Sequence, residues 1–152
     1  MIEIDQVDHA GIRITGEDAA LKFYGALGFE VLTRVEFDAV IVIKNRNDVE
    51  LNLICNGTDK AQEQFGGQNI LMDVADKYTG ITHLALRVTD IKAAIEGLQE
   101  NDIAITQGPV TFGKDGHVSV FVRDPDRNVI ELRGRMQDED SIEGLEFYDP
   151  EG

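Results

Sequence analysis

The sequence predicts an α+β fold made of two tandem modules, each with the element order βαβββ. Three observations support this prediction. First, the segment VDHAGIRITGEDAALKFY matches ITHLALRVTDIKAAIEGL without a gap, which places His9 on His83. Second, each copy ends in a further match, V-E-L around Glu50 and I-E-L around Glu131. Third, strand-like alternation of apolar residues flanks one helix-like stretch in each copy. A repeat of this length indicates two copies of one supersecondary unit.

Module one, residues 5–54, contains four predicted strands and one helix. Thr15 and the acidic residues that follow it predict the start of the helix, and Gly28 ends the helix after Leu27. Alternating apolar residues predict strands at 7–14, 29–35, 38–44 and 49–54, the second and third joined by a tight turn.

Module two, residues 80–135, repeats this order. Asp90 is the expected N-cap of its helix, which ends near Asn101. The predicted strands are 80–88, 103–105, 117–123 and 129–133. Residues 55–79 follow no period and are interpreted as the linker between the modules, which is either a plain tether or a segment that covers a site. Residues 136–152 are interpreted as an acidic tail with a disordered end. The alternative is that Leu145, Phe147 and Tyr148 pack on a partner subunit.

Composition and charge limit the possible partners. With 152 residues and 42% hydrophobic content, the chain can bury a core of its own. Its formal net charge is −15, and its lysines and arginines form no basic run. Because binding to a phosphate backbone needs a basic surface, nucleic acid is not expected as a partner.

The sequence also indicates a compartment. Cys55 is the only cysteine, so it cannot form an internal disulfide, and we interpret it as a small apolar residue. No stretch approaches the roughly 20 apolar residues of a membrane span, and the N-terminus has no signal-peptide pattern. We therefore expect a cytoplasmic protein that does not associate with membranes.

Two histidines and two glutamates occupy matched places in the repeat, namely His9, Glu50, His83 and Glu131. A carboxylate among apolar strand residues is costly unless it is paired or ligated. Two imidazoles and two carboxylates suit a divalent ion such as Zn, Ni, Co, Mn or Fe(II), with water in the open positions. We therefore predict a catalytic metal site. The alternative is that each of the four is an ordinary strand residue.

The chain resembles a known family. The strands DHAGIRI and THLALRV, the ending FVRDPDRNVIEL and the four candidate ligands resemble the vicinal oxygen chelate superfamily, which includes glyoxalases, bleomycin resistance proteins and extradiol dioxygenases. The resemblance covers about residues 5–135 and is strongest to the glyoxalase I branch. It implies a single domain, residues 1–152, with a curved eight-stranded mixed sheet and the helices outside. It also implies a homodimer with sites at the interface of modules and subunits.

By this resemblance, the protein is a metal-dependent lyase of the lactoylglutathione lyase type. The ion would hold two vicinal oxygens of a small substrate and stabilise an enediolate, while a glutamate moves a proton between adjacent carbons. Glu131 is the expected base, and Glu50 is the second candidate. Glutathione is a possible co-substrate, although the place of the family's glutathione-binding Asn, four residues after the first Glu, holds Ile54 in this chain.

Five further residues are candidates for substrate binding. Arg13 matches the arginine that holds glutathione in the family, and other cations would attract an anionic substrate to this acidic protein. His117 opens a strand that leads toward the site, and it is either an acid or base or a plain strand-end residue. The candidates are Arg13, Asn52, Arg87, Lys114 and His117.

Two other functions remain open on the same fold. An extradiol-type dioxygenase uses two His and one Glu, and a fourth protein ligand disfavours it because oxygen activation needs open metal positions. A non-catalytic binding protein of the resistance type generally lacks the metal ligands, whereas all four are present here.

Overall fold

The computed structural model describes residues 1–66, 68, 71, 73–112, 116–137 and 142–148. Its contacts divide the chain into two compact units, Met1–Gly67 and Gln68–Gly152. Strands and helices mix in both units, which confirms the predicted α+β class. The strands of the described residues form one sheet of four strands and one sheet of five, where the resemblance implies a single sheet of eight. The prediction of a single domain stays a prediction.

The first unit contains a four-stranded sheet in the order β1-β4-β3-β2. Strands β1 and β4 run parallel, and the other neighbours run antiparallel. The predicted tight turn between β2 and β3 is a short 3-10 helix at Glu36–Asp38 that ends on Ala39 in the left-handed region. The elements are β1 (Ala10–Arg13), α1 (Glu17–Ala26), β2 (Glu30–Val35), β3 (Val40–Lys44) and β4 (Glu50–Ile54).

Alternation along these strands separates a buried face from an open face. The buried face carries Ile12, Ile41, Ile43, Leu51 and Leu53. Helix α1 lies against β2. Its predicted cap at Thr15 is wrong, because the helix begins after Gly16, and no side chain caps it. The opposite face of the sheet therefore presents the polar side chains that could form a site.

The second unit contains a five-stranded sheet in the order β5-β8-β7-β6-β9. Asp90 caps α3 as predicted, since its carboxylate accepts a hydrogen bond from the Ala93 amide at 3.0 Å. None of the helices in the described part of the chain is long and apolar enough to span a bilayer. The elements are β5 (Leu84–Arg87), α3 (Ile91–Glu100), β6 (Ile105–Thr111), β7 (His117–Arg123), β8 (Val129–Arg135) and β9 (Glu146–Phe147).

Helix α3 packs against β7 and β8. The close approach occurs at Gly134, where an added Cβ would lie 2.9 Å from Val88 Cγ2 and 3.2 Å from Ile91 Cβ. A residue without a side chain is therefore required for the helix to reach the sheet. Since α3 covers the face of the even-numbered β8 residues, Glu131 and Arg133 lie on the other face.

The linker is more ordered than predicted. It contains α2 (Asp59–Phe65), whose N-cap Thr58 accepts a hydrogen bond from the Ala61 amide at 3.2 Å. Further along, the Arg123 guanidinium of β7 donates two hydrogen bonds of 2.6 Å to the Asp73 carboxylate. This bidentate bond raises the pKa of Arg123 and ties the linker to the sheet.

The short strand predicted at 103–105 is also wrong, because β6 extends from Ile105 to Thr111. Its pairing with β7 shifts register twice, and Gly108, which lies within the second shift, has a φ of +93°. An L side chain rarely adopts that φ, and a Cβ on Gly108 would lie 2.6 Å from the Ser119 carbonyl oxygen. Irregular pairing lets the strand continue through sequence that looks like a loop.

Part of the tail, predicted to be disordered, is paired. Strand β9 runs parallel to β6, with Val110 opposite Glu146 and Thr111 opposite Phe147. The Tyr148 amide donates a hydrogen bond to the Thr111 carbonyl at 2.9 Å. The rings of Phe112 and Tyr148 lie 5.2 Å apart. Backbone pairing and ring contact together order residues that carry little apolar pattern of their own.

Candidate metal site

One histidine and one glutamate of the predicted site lie in contact in the second unit. His83 directly precedes β5, and Glu131 lies in the middle of β8. His83 Nε2 is 2.9 Å from Glu131 Oε2. Strand β5 runs parallel to β8 with Ala85 opposite Glu131, so a histidine two residues before Ala85 reaches along the same face to the carboxylate. The structure therefore brings together one nitrogen and one oxygen donor.

Neighbouring side chains fix the orientation of this pair. Thr82 Oγ1 lies 2.7 Å from His83 Nδ1, so Nδ1 can donate to the hydroxyl and leave the Nε2 lone pair for a ligand. The Ser119 hydroxyl donates to Glu131 Oε1 at 2.5 Å, and Arg133 donates to Ser119 Oγ at 3.2 Å. The repeat does not single out Ser119 or Thr82; Ser119 lies on the Glu131 face because it pairs opposite Arg133 across β7 and β8.

The two ligands predicted in the first unit, His9 and Glu50, have other partners. His9, directly before β1, is exposed, and its Nδ1 lies 2.6 Å from Asp8 Oδ2. Glu50 opens β4, and its carboxylate lies 3.7 Å from Lys44 Nζ. Among the residues with described positions, no group of three or more His, Cys, Asp or Glu side chains is arranged to hold a metal. The four-ligand site stays a prediction.

The predicted substrate-binding residues lie on both sheets. Arg13, at the end of β1, donates from Nε to Asn56 Oδ1 at 2.9 Å. Arg87 ends β5 opposite Arg133. His117 opens β7 opposite Arg135. The remaining predicted residues are Asn52, in the middle of β4, and Lys114, which lies outside the described residues.

Cys55 directly follows β4 and is partly buried. Burial, and next the negative charge of Glu17, raise the pKa of its thiol. We expect iodoacetamide to alkylate Cys55 slowly at neutral pH, because less thiolate is present than on an ordinary thiol. The rate should rise with pH through a midpoint above that of a reference cysteine peptide. A midpoint below that of the peptide would identify a reactive thiol instead.

A comparison with known protein families gives a match that spans both modules. The profile of the Glyoxalase/Bleomycin resistance protein/Dioxygenase superfamily matches residues 6–132. The chain belongs to this superfamily. The match confirms the family that the two His-containing strands and the DPDRNVIEL ending indicated. A search of curated proteins gave no match to this chain.

Solved structures agree with the superfamily assignment. A glyoxalase/dioxygenase from Nostoc punctiforme is 25% identical with a TM-score of 0.64, and the alignment covers 87% of this chain and 92% of that one. A glyoxalase family protein from Enterococcus faecalis is 26% identical with a TM-score of 0.62, covering 84% and 96%. The integron cassette protein VPC_CASS1 from V. Pseudocholerae is 23% identical with a TM-score of 0.63, covering 90% and 99%, which indicates a shared fold.

Members of the superfamily commonly use a divalent metal. Two features of this chain fit such an ion. The His83–Glu131 pair offers nitrogen and oxygen donors that suit first-row divalent metals. In addition, Asn52 Oδ1 is buried and has no hydrogen-bond partner among the described residues. An oxygen that binds a metal ion is expected to lack a protein partner when the ion is absent.

Proposed function

We propose that this superfamily member is a metal-dependent lyase of the lactoylglutathione lyase type. The observation that carries the proposal is the contact between His83 Nε2 and Glu131 Oε2, held in place by Thr82 and Ser119. The buried carboxylate and the imidazole are two donors of the types that first-row metal sites use. His9 and one oxygen ligand from module one, for which the repeat indicates Glu50, would complete the set.

Each residue has a role in moving a proton next to a carbonyl. When bound, a divalent ion supplies Lewis-acid stabilisation of negative charge on the substrate oxygens. Glu131 takes the proton from one carbon and returns it to the next. The Ser119 hydroxyl, which donates to Oε1, holds the carboxylate in one orientation. Arg133 donates to Ser119 and so fixes the direction of the hydroxyl.

Arg13 and Asn56 support glutathione as the co-substrate. Arg13 matches the family's glutathione-holding arginine, and its Nε donates to Asn56 Oδ1. A guanidinium and a carboxamide side by side suit a ligand with carboxylates and peptide amides. Arg87 and Arg133 add positive charge on the second sheet, which favours an anionic substrate near a protein of net charge −15. The proposed assembly is a homodimer.

The first experiment measures metal content and turnover together. The purified protein is stripped with a chelator and loaded with Ni, Co, Zn, Mn or Fe(II). We expect the loaded protein to contain one metal ion per site. We also expect it to isomerise the hemithioacetal of methylglyoxal and glutathione. His83→Gln should lose the metal because it removes one nitrogen ligand, whereas His117→Gln should retain it.

The outcomes separate the parts of this proposal. Bound metal without turnover of the hemithioacetal would reject glutathione and direct the search to other substrates with vicinal oxygens. Failure to bind any of the five ions would reject the metal-dependent lyase and favour a non-catalytic binding protein.

A further inference from the structure

The last hairpins of the two modules have the same backbone. In module one, the Asn45 amide donates to the Val49 carbonyl at 3.1 Å, and in module two the Asp124 amide donates to the Asn128 carbonyl at 3.0 Å. The fourth residue of each turn has a left-handed φ, 62 at Asp48 and 67 at Arg127. Asn45 is therefore the structural counterpart of Asp124.

The side chains of the two turns repeat this match. Asn45 Oδ1 accepts hydrogen bonds from the amides two and four residues later, at 3.0 and 2.9 Å. Asp124 Oδ1 does the same, both at 2.9 Å. An Asx side chain that binds the backbone in this way fixes the geometry of a turn. Counting seven residues from Asn45 and from Asp124 leads to Asn52 and Glu131 respectively.

The pairing between the first and last strands of each module also places Asn52 at the position of Glu131. Asn52 lies opposite Gly11 in β1, and Glu131 lies opposite Ala85 in β5. Gly11 follows His9 by two residues, and Ala85 follows His83 by two residues. Two independent sets of backbone contacts therefore place Asn52 where module two has Glu131. The backbone position of His9 relative to Asn52 therefore matches that of His83 relative to Glu131.

Glu50 occupies a different position. It corresponds to Val129, two residues before Glu131, which is a shift of about 7 Å along a strand. Lys44 lies opposite Glu50 in the sheet, with its ammonium 3.7 Å from the carboxylate. The local cation accounts for a carboxylate at this half-buried place without a metal. The shared letters V-E-L and I-E-L are therefore out of structural register.

We propose that Asn52, and not Glu50, is the module-one residue that binds the divalent ion, through its side-chain oxygen. The inference rests on the metal dependence proposed above. The buried Oδ1 of Asn52 lacks a hydrogen-bond donor among the described residues, and a metal would supply the missing partner. The ligand set then contains one carboxylate rather than two. A bound dication keeps one formal positive charge, which favours an anionic substrate over neutral ones.

Metal affinity of matched variants tests this assignment without an activity assay. Kd values for Zn and Co are measured by competition with a chromophoric chelator for the full chain and for Asn52→Ala, Asn52→Asp, and Glu50→Gln. We expect Asn52→Ala to weaken binding about tenfold or more. Asn52→Asp should tighten binding because it adds a charged ligand of the same shape. Glu50→Gln should leave both Kd values within about twofold of the parent.

The result that would overturn the inference is specific. Weakening of tenfold in Glu50→Gln, or an unchanged Kd in a folded Asn52→Ala, would return the ligand role to Glu50 while leaving the lyase proposal intact. Absence of metal binding in the parent chain would reject both proposals together. Circular dichroism melting shows which variants fold. If Asn52→Ala does not fold, the tighter binding expected of Asn52→Asp and the unchanged Kd values expected of Glu50→Gln still test the assignment.

Discussion

Replacing Glu131 with glutamine is expected to abolish stoichiometric metal binding and to reduce turnover of the hemithioacetal by about 10²–10⁴-fold, the contribution typical of a positioned general base. Glutamine keeps the shape and one acceptor oxygen, so the Ser119 hydroxyl retains a partner. It removes the negative charge that a divalent ion needs, and it cannot accept a proton at neutral pH. The effect should therefore fall on metal affinity and turnover rather than on folding.

Glu96→Gln is the matched control for this variant. Glu96 is exposed on α3, so the substitution makes the same change of charge in the same unit. Metal content by elemental analysis and melting by circular dichroism are measured on both proteins. A Glu131→Gln protein that binds metal as tightly as the Glu96→Gln protein would contradict the role of Glu131.

Replacing Tyr24 with alanine is expected to lower the free energy of unfolding by about 3–5 kcal/mol, the range for removing a large aromatic side chain from a core. Tyr24 is fully buried at 0% exposure. Its ring lies edge-on to Phe23 at 5.0 Å and to Phe29 at 6.4 Å. The substitution leaves a cavity where α1 meets the start of β2, and it removes both aromatic contacts.

Chemical denaturation gives the free energy of unfolding for this comparison. Tyr78→Ala serves as the control because Tyr78 is 61% exposed, and a surface substitution changes stability by only about 0.5 kcal/mol. Equal losses in the two variants would mean that Tyr24 does not support a packed core.

The regular elements could be predicted because local pattern and tertiary structure agree. Asp90 before an apolar helical stripe gives the N-cap of α3, and alternation gives β7 and β8 nearly to the residue. Strand β6 and strand β9 could not be predicted in this way. The first is stabilised through irregular pairing around Gly108, and the second by a partner strand distant in sequence, which a local pattern does not contain.

The site could be predicted by residue type better than by position. The repeat singled out His83 and Glu131 by residue type, and the two side chains lie in contact because β5 and β8 pair in parallel. Short identical letters misplace the counterpart of Glu131, since V-E-L and I-E-L are commonplace strand sequences. The turns NRND and DPDR differ in sequence, yet their first residues make the same backbone contacts. Register is set by those contacts.

Strand β9 has a consequence for how the protein behaves at high concentration. An unpaired outer strand presents free amides and carbonyls on which another chain can add a strand. The five-stranded sheet ends instead in two residues of its own tail, one of which is the charged Glu146. Covering the edge with a short, acidic segment discourages strand-by-strand polymerisation. The tail segment thus protects the end of β6 at Val110 and Thr111 from the association that leads to aggregates.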